Sequence, residues 1–229
     1  LLYLVLWPFV CDHRQSMKKL LLLSLILAGL LLGCSQPDKP TVGLYVAIKR
    51  GDLDQVDRHV HWGTDINQIN IDGQTPLHES ARNGKIVIAR LLLKNGAQVN
   101  QLNKLDQTPL DVAILNGRIQ LSEMLINQFN AHFDATQSLF KAANANNHDR
   151  DVYRFLSRQG AEINSVDSNG LTPLIIAVKN QQRLTAKQLI ANGADVNMAD
   201  KEGKTPLAIA LSLENPDLIT LLQSNGARQ

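Results

Sequence analysis

The stretch that decides the fold runs Asp72-Gly73-Gln74-Thr75-Pro76-Leu77-His78-Glu79-Ser80-Ala81, followed by the turn Asn83-Gly84 and an apolar run from Val87 to Lys94 that stops before Gly96. Thr75 can cap a helix through its hydroxyl, and Pro76 suits a first helical position, where an N–H has no partner to lose. Gly84 and Gly96 stand just past helix ends, where the chain needs positive φ. The pattern therefore predicts two short helices joined by a tight turn. Leu77, Ala81, Ile88, Leu91 and Leu92 form apolar stripes too thin to make a core alone, so neighbouring units must stack.

Working outward, the same signals recur. Thr75-Pro76-Leu77, Thr108-Pro109-Leu110, Thr172-Pro173-Leu174 and Thr205-Pro206-Leu207 are spaced by 33, 64 and 33 residues. A second ladder shares the period: Gly63-Thr64-Asp65-Ile66-Asn67, Gly96-Ala97-Gln98-Val99-Asn100, Gly160-Ala161-Glu162-Ile163-Asn164, Gly193-Ala194-Asp195-Val196-Asn197 and a terminal Gly226-Ala227. Two independent motifs on one period are a strong repeat signature.

These residues resemble ankyrin repeats over roughly 42–228. The resemblance implies a mainly α fold, a solenoid of stacked helix-turn-helix units joined by β-hairpin loops. Six units can be drawn, at about 41–70, 71–103, 104–133, 134–167, 168–200 and 201–229. The third and fourth depart from the pattern. Asp106 replaces the turn glycine, and Phe129-Asn130-Ala131-His132-Phe133 replaces the Gly-Ala-x-Val-Asn ending. Leu110 and its counterpart Leu139 are 29 residues apart, four short of the period, so the hairpin between these units must be truncated or missing. Two extra residues fall in the polar turn 144–150. A seam is expected there, with local opening easiest around Gln128 to Gln137.

The N-terminal region has a different composition. Met17-Lys18-Lys19 precedes thirteen mostly Leu and Ile residues, Leu20 to Leu32, and then Gly33-Cys34-Ser35. A basic start, a short apolar core and a small residue before a cleavage point read as a secretory signal over 17–33. The core is too short for a membrane-spanning helix, which needs about 20 apolar residues. Leu31-Leu32-Gly33-Cys34 resembles the lipobox of bacterial lipoproteins, which implies cleavage before Cys34 and lipidation of that residue. Residues 1–16 read as an over-extended leader, or alternatively as part of a longer hydrophobic segment. Residues 34–40, polar and carrying Pro37 and Pro40, read as a tether, and 41–229 as the repeat domain. Ser35 after the lipidated Cys implies, by the same resemblance, the outer membrane, facing the periplasm.

Composition narrows the partners. The chain of 229 residues carries 23 Lys+Arg and 21 Asp+Glu, is 44% hydrophobic and 4% aromatic, and has a formal net charge of +2. Beyond Cys34 the balance is 20 basic to 20 acidic residues. Nothing is in excess to neutralise a run of phosphates, so nucleic acid is not an expected partner. Cys11 and Cys34 leave no disulfide framework for the body.

Chemistry is sparse. His78, by the ankyrin resemblance, should hydrogen-bond the backbone of an adjacent hairpin. Asp57, His59, His61 and Asp65 form a dense cluster of potential metal ligands, yet residues two apart on a helix do not share a face, and the cluster reads as solvated surface. Gln68-x-Asn70-x-Asp72-Gly73 with Glu79 imitates a calcium loop but lacks the leading Asp. No glycine-rich phosphate loop, nucleophile elbow or paired Cys/His set is present. No catalytic residue, metal, cofactor or small-molecule substrate is expected.

What remains is surface. Carried over by register, the hairpin tips expected to bind a protein partner are Ile71, Asp72 and Gln74; Lys104, Leu105 and Gln107; Ser168, Asn169 and Leu171; and Lys201, Glu202 and Lys204. Ile71, Leu105 and Leu171 are apolar where water is expected, a sign of a contact buried in a complex. The expected function is that of a lipid-anchored, non-catalytic interaction module of the cell envelope, binding through hairpin tips and the concave helix face. The alternatives are an immunity-type inhibitor of a secreted toxin, or an enzyme accessory subunit.

Overall fold

The computed structural model describes residues 37–228. Cys34 and the segments 1–16 and 17–33 lie outside the described residues, as do residues 35 and 36 of the tether. Between 39 and 228 the chain forms twelve helices in six helix-turn-helix pairs. The pairs are α1 (Leu44–Arg50) with α2 (Leu53–His61), α3 (Pro76–Arg82) with α4 (Ile86–Lys94), and α5 (Pro109–Leu115) with α6 (Ile119–Phe129). The remaining three are α7 (Ala135–Asn144) with α8 (Arg150–Arg158), α9 (Pro173–Lys179) with α10 (Arg183–Ala191), and α11 (Pro206–Ser212) with α12 (Pro216–Ser224). First helices pack on first helices and second on second along the array.

Local chemistry explains the starts. Thr75, Thr108, Thr172 and Thr205 each cap their helix by accepting the N–H of the residue three positions on, ahead of a proline at the first helical position. These caps secure helices of only seven residues, which are too short to persist alone. Stability comes from three registers of the stack. Leu44, Leu77, Leu110, Leu139, Leu174 and Leu207 occupy one first-helix position and are all buried. Ala47, Ser80, Ala113, Ala142, Ala177 and Ala210 occupy another, where small side chains let the helices approach closely. Leu92, Leu125, Leu156, Leu189 and Leu222 form the third row, on the second helices.

His59 continues that third row into the first unit. It is buried, which corrects the reading of this residue as solvated surface. Its ring is satisfied internally: Nδ1 meets Thr64 Oγ1 at 2.9 Å and Nε2 donates to Val42 O at 2.7 Å. Among the described residues the first helix pair packs on a neighbour on one side, and an imidazole closed by local partners stands where the later units have leucine.

The junction between α6 and α7 has no hairpin. Only residues 130–134 connect these helices, whereas fourteen residues separate α2 from α3, α4 from α5, α8 from α9 and α10 from α11. Part of the lost length reappears as helix, since α6 has 11 residues and α7 has 10. The seam is nonetheless stitched. Lys141 Nζ pairs with the buried Asp111 at 2.7 Å, Asn147 Nδ2 donates to Leu115 O at 2.8 Å, and Asn100 Oδ1 anchors the connecting segment by accepting from His132 N at 2.8 Å. Asn67, Asn164 and Asn197 tie other units together, each Oδ1 receiving an N–H of the next unit, whereas Thr136 Oγ1 accepts from Glu162 N at 3.0 Å within unit four. The two extra residues of the α7–α8 turn are braced by Tyr153, which stands where α4 has Ala89 and α10 has Ala186. Its hydroxyl donates to Asn147 O at 2.7 Å.

Candidate functional site

Four loops of five residues form the hairpin edge: 70–74, 103–107, 167–171 and 200–204. Each opens on Asn or Asp. The Oδ1 atoms of Asn70, Asn103, Asp167 and Asp200 accept the N–H groups two and four residues on, at 2.8–3.0 Å. The backbone N–H of the same residue donates to the carbonyl four positions on, at 2.9–3.0 Å. The fourth residue must adopt positive φ, as Gly73, Gly170 and Gly203 do, and Asp106 does so at φ 52° without being glycine. These bonds use the polar backbone inside each loop, so the second and third side chains project outward. They also answer the calcium pattern: Asn70 Oδ1 is committed to its own loop, and Glu79 is buried in α3, where it accepts from Asn83 Nδ2.

The structure separates the expected contact residues by position in this loop. Ile71 is 88% exposed and Leu105 71%, and Asp72, Ser168, Asn169 and Glu202 are also exposed. Gln74, Gln107, Leu171 and Lys204 are not tips but the closing residues at the hairpin base. Gln74 is only 3% exposed, and Leu171 is half-buried and packs on the core, so neither offers the free surface expected of it. Lys204 remains exposed and pairs with Glu202 at 2.9 Å.

Lys104 and Lys201 project from their loops and lie back along the edge. Lys201 Nζ donates to Ser168 O at 2.6 Å, and Lys104 Nζ likewise donates to Ile71 O. Their alkyl chains lie over Gly73 and Gly170. Each lysine thus ties one hairpin to its predecessor, and the four hairpins form two pairs separated by the junction that lacks one. Sequence reasoning missed three further exposed residues, Ile69, Leu102 and Val166, each directly before a loop-opening Asn or Asp. Their shared register was the available signal. Ile69, Ile71, Leu102 and Leu105 make the first hairpin pair apolar, while Ser168, Asn169, Lys201 and Glu202 make the second polar.

His78 ties helix to hairpin as the resemblance implied. Its Nε2 lies 3.0 Å from Gln107 O, and because a carbonyl can only accept, that nitrogen carries the proton. Nδ1 then accepts from Thr75 N at 3.2 Å and from the Thr75 hydroxyl at 2.7 Å. Burial holds the His78 pKa below its ordinary value of 6.5 against the opposing Gln107 hydrogen bond, and Arg82 lowers it further. His61 and Asp57 lie 3.9 Å apart on the α2 surface. Among the described residues no group of three or more His, Cys, Asp or Glu is placed to hold a metal, and no helix is long and apolar enough to cross a membrane.

Comparison with known proteins agrees with this architecture. The family model for ankyrin repeats (three copies) matches residues 44–137 and again 139–229. The human ASB11 ankyrin repeat domain is similar, at 27% identity and a TM-score of 0.62, over 82% of this chain and 85% of that one. The ankyrin repeat domain of Bcl-3 gives 26% identity and a TM-score of 0.61 over 83% and 89%. A chain from the predatory endopeptidase of Bdellovibrio bacteriovorus in complex with an immunity protein gives 26% identity and a TM-score of 0.58, over 81% of this chain and 99% of that one. A potassium channel of rice, AKT1, is 37% identical over 57 residues, which are 24% of this chain and 6% of the channel. Six helix pairs, the Thr-Pro-Leu caps and a family match across most of its length place this chain in the ankyrin-repeat family, as a protein-interaction module.

Proposed function

We propose that this chain is a non-catalytic, lipid-anchored interaction module of the bacterial cell envelope that engages a protein partner through its hairpin edge and the adjoining first-helix face. The observation that carries the proposal is the first hairpin pair. Ile71 and Leu105 stand almost fully in water beside Ile69 and Leu102, an apolar cluster on an edge whose backbone polar groups are already satisfied. Such a patch gains free energy only when something covers it. The Met17-to-Cys34 pattern supports cleavage and lipidation at Cys34, and Ser35 supports an outer-membrane site facing the periplasm.

Similarity to the chain from the endopeptidase–immunity protein complex favours a specific version of the role: inhibition of a secreted or incoming enzyme. An envelope scaffold is the competing version. The test is capture with crosslinking from envelope extract, using wild type and the Ile71→Ser/Leu105→Ser variant. A partner retained by the first and lost by the second supports binding through the edge. If the retained protein is an enzyme whose activity falls on binding, the chain is an inhibitor; an unaffected partner leaves the scaffold role.

A further inference from the structure

Charge is segregated in the first three units. Residues 41–134 carry nine basic and ten acidic residues, so the block as a whole is nearly neutral. Yet the turns inside these units read Lys49-Arg50-Gly51-Asp52, Arg82-Asn83-Gly84-Lys85 and Leu115-Asn116-Gly117-Arg118, five cations to one carboxylate. That carboxylate, Asp52, accepts Gln55 N as the cap of α2. The only acids on first helices, Glu79 and Asp111, are buried.

The fold gathers these cations into one strip. Lys49 and Arg82 are 33 residues apart, occupy the same position on α1 and α3, and are exposed. The Lys85 ammonium lies over Gly51 of the preceding unit, and the Arg118 side chain lies over Gly84 with Nε donating to Arg82 O at 3.1 Å. Among the described residues, none of the five cations forms a salt bridge. The strip ends at unit four, where the equivalent place over Gly117 is taken by the carboxylate of Asp149.

We infer that this strip receives an extended acidic segment of the protein partner. Like-charged groups held side by side without counterions gain most from a ligand of opposite sign. Stacked helices lie about 8–10 Å apart, and an extended chain rises about 3.3 Å per residue. Carboxylates at every third residue therefore meet successive units. A narrow row along one edge fits a strand better than a bilayer plane, and the block's neutrality disfavours nucleic acid. This inference rests on the reading of the chain as a protein-binding module and adds the chemistry of what is bound.

The test uses the full chain and a fluorescein-labelled peptide with Glu at every third position of a Gly-Ser background, with a Gln-substituted peptide as its control. Fluorescence anisotropy should show binding of the Glu peptide that weakens with salt. Lys49→Gln/Arg50→Gln/Arg82→Gln should weaken it about tenfold, while Lys94→Gln/Arg183→Gln/Lys187→Gln, on the second helices, should leave it unchanged. Equal binding by the first variant, or equal loss in the second, would overturn the inference. So would phosphatidylglycerol vesicles binding through the same three cations while the peptide does not. Tip-dependent partner capture without peptide binding would defeat this inference alone; peptide binding with tip-independent capture would defeat the hairpin reading instead.

Discussion

Ile71→Ser/Leu105→Ser should separate binding from stability. Full burial of an Ile or Leu side chain contributes about 1.5–3 kcal/mol. Ile71 already shows 88% of its surface and Leu105 71%, so the fold draws about 0.2–0.4 kcal/mol from the first and about 0.4–0.9 kcal/mol from the second. The double variant should lose about 1 kcal/mol, a fall in Tm of roughly 2–4 °C for a body of this size. In a complex that covers both side chains the remaining exposed fraction becomes available, about 2.4–4.8 kcal/mol in all, or roughly fifty- to three-thousandfold in Kd. Leu171→Ser should behave in the opposite way. Its side chain packs against the core, so it should cost about 1–3 kcal/mol of stability with little direct effect on binding. Thermal unfolding and titration of the captured partner measure both quantities. A fall of more than about 6 °C in the double variant, or an unchanged Kd, would refute the reasoning.

Three further outcomes are expected. Cys34→Ala should move the protein from the membrane fraction to the soluble fraction with the far-ultraviolet circular dichroism of the repeat body unchanged, since acyl chains contribute about 0.8 kcal/mol per buried CH₂; incorporation of labelled palmitate by the variant at the wild-type level would count against lipidation there. The depressed pKa of His78 favours its neutral ring in the folded state, so its stability contribution is complete above pH 6.5 and is lost as pH falls below that value toward the folded-state pKa. Urea midpoints of wild type should drop across this range more steeply than those of His78→Gln, and parallel curves would exclude the effect. Hydrogen exchange should be fastest between 128 and 137, where five residues replace a hairpin and the first helices of units three and four meet less extensively. Lys141→Met should accelerate it by removing the pair with Asp111; uniform slow exchange over 120–150 would mark an uninterrupted array.

Much of the fold could be read from one period. The Thr-Pro-Leu and Gly-Ala ladders place the helix starts and ends, because caps and positive-φ turns are local requirements. The 29-residue step from Leu110 to Leu139 likewise exposed the missing hairpin. The candidate edge was less legible because exposure there depends on a neighbour some 33 residues away. Lys104 reads as a free tip charge until the preceding hairpin supplies Ile71 O, and Leu171 reads as wet until its place at the hairpin base brings it onto the core. His59 was misread for lack of the same comparison: set one period before Leu92, it falls into the buried row. Ile69, Leu102 and Val166 escaped notice because they precede the loop-opening Asn or Asp, a residue whose role becomes apparent once its Oδ1 is seen to hold the turn.

The most direct test places a photoreactive amino acid at single positions of the full chain in its native cells: at 71 and 105 on the first hairpin pair, and at 94 and 187 on the second helices. Irradiation should give a covalent adduct of one protein mass from positions 71 and 105 and none from 94 or 187. Adducts of that mass from the second helices instead, with none from the tips, would contradict binding through the hairpin edge.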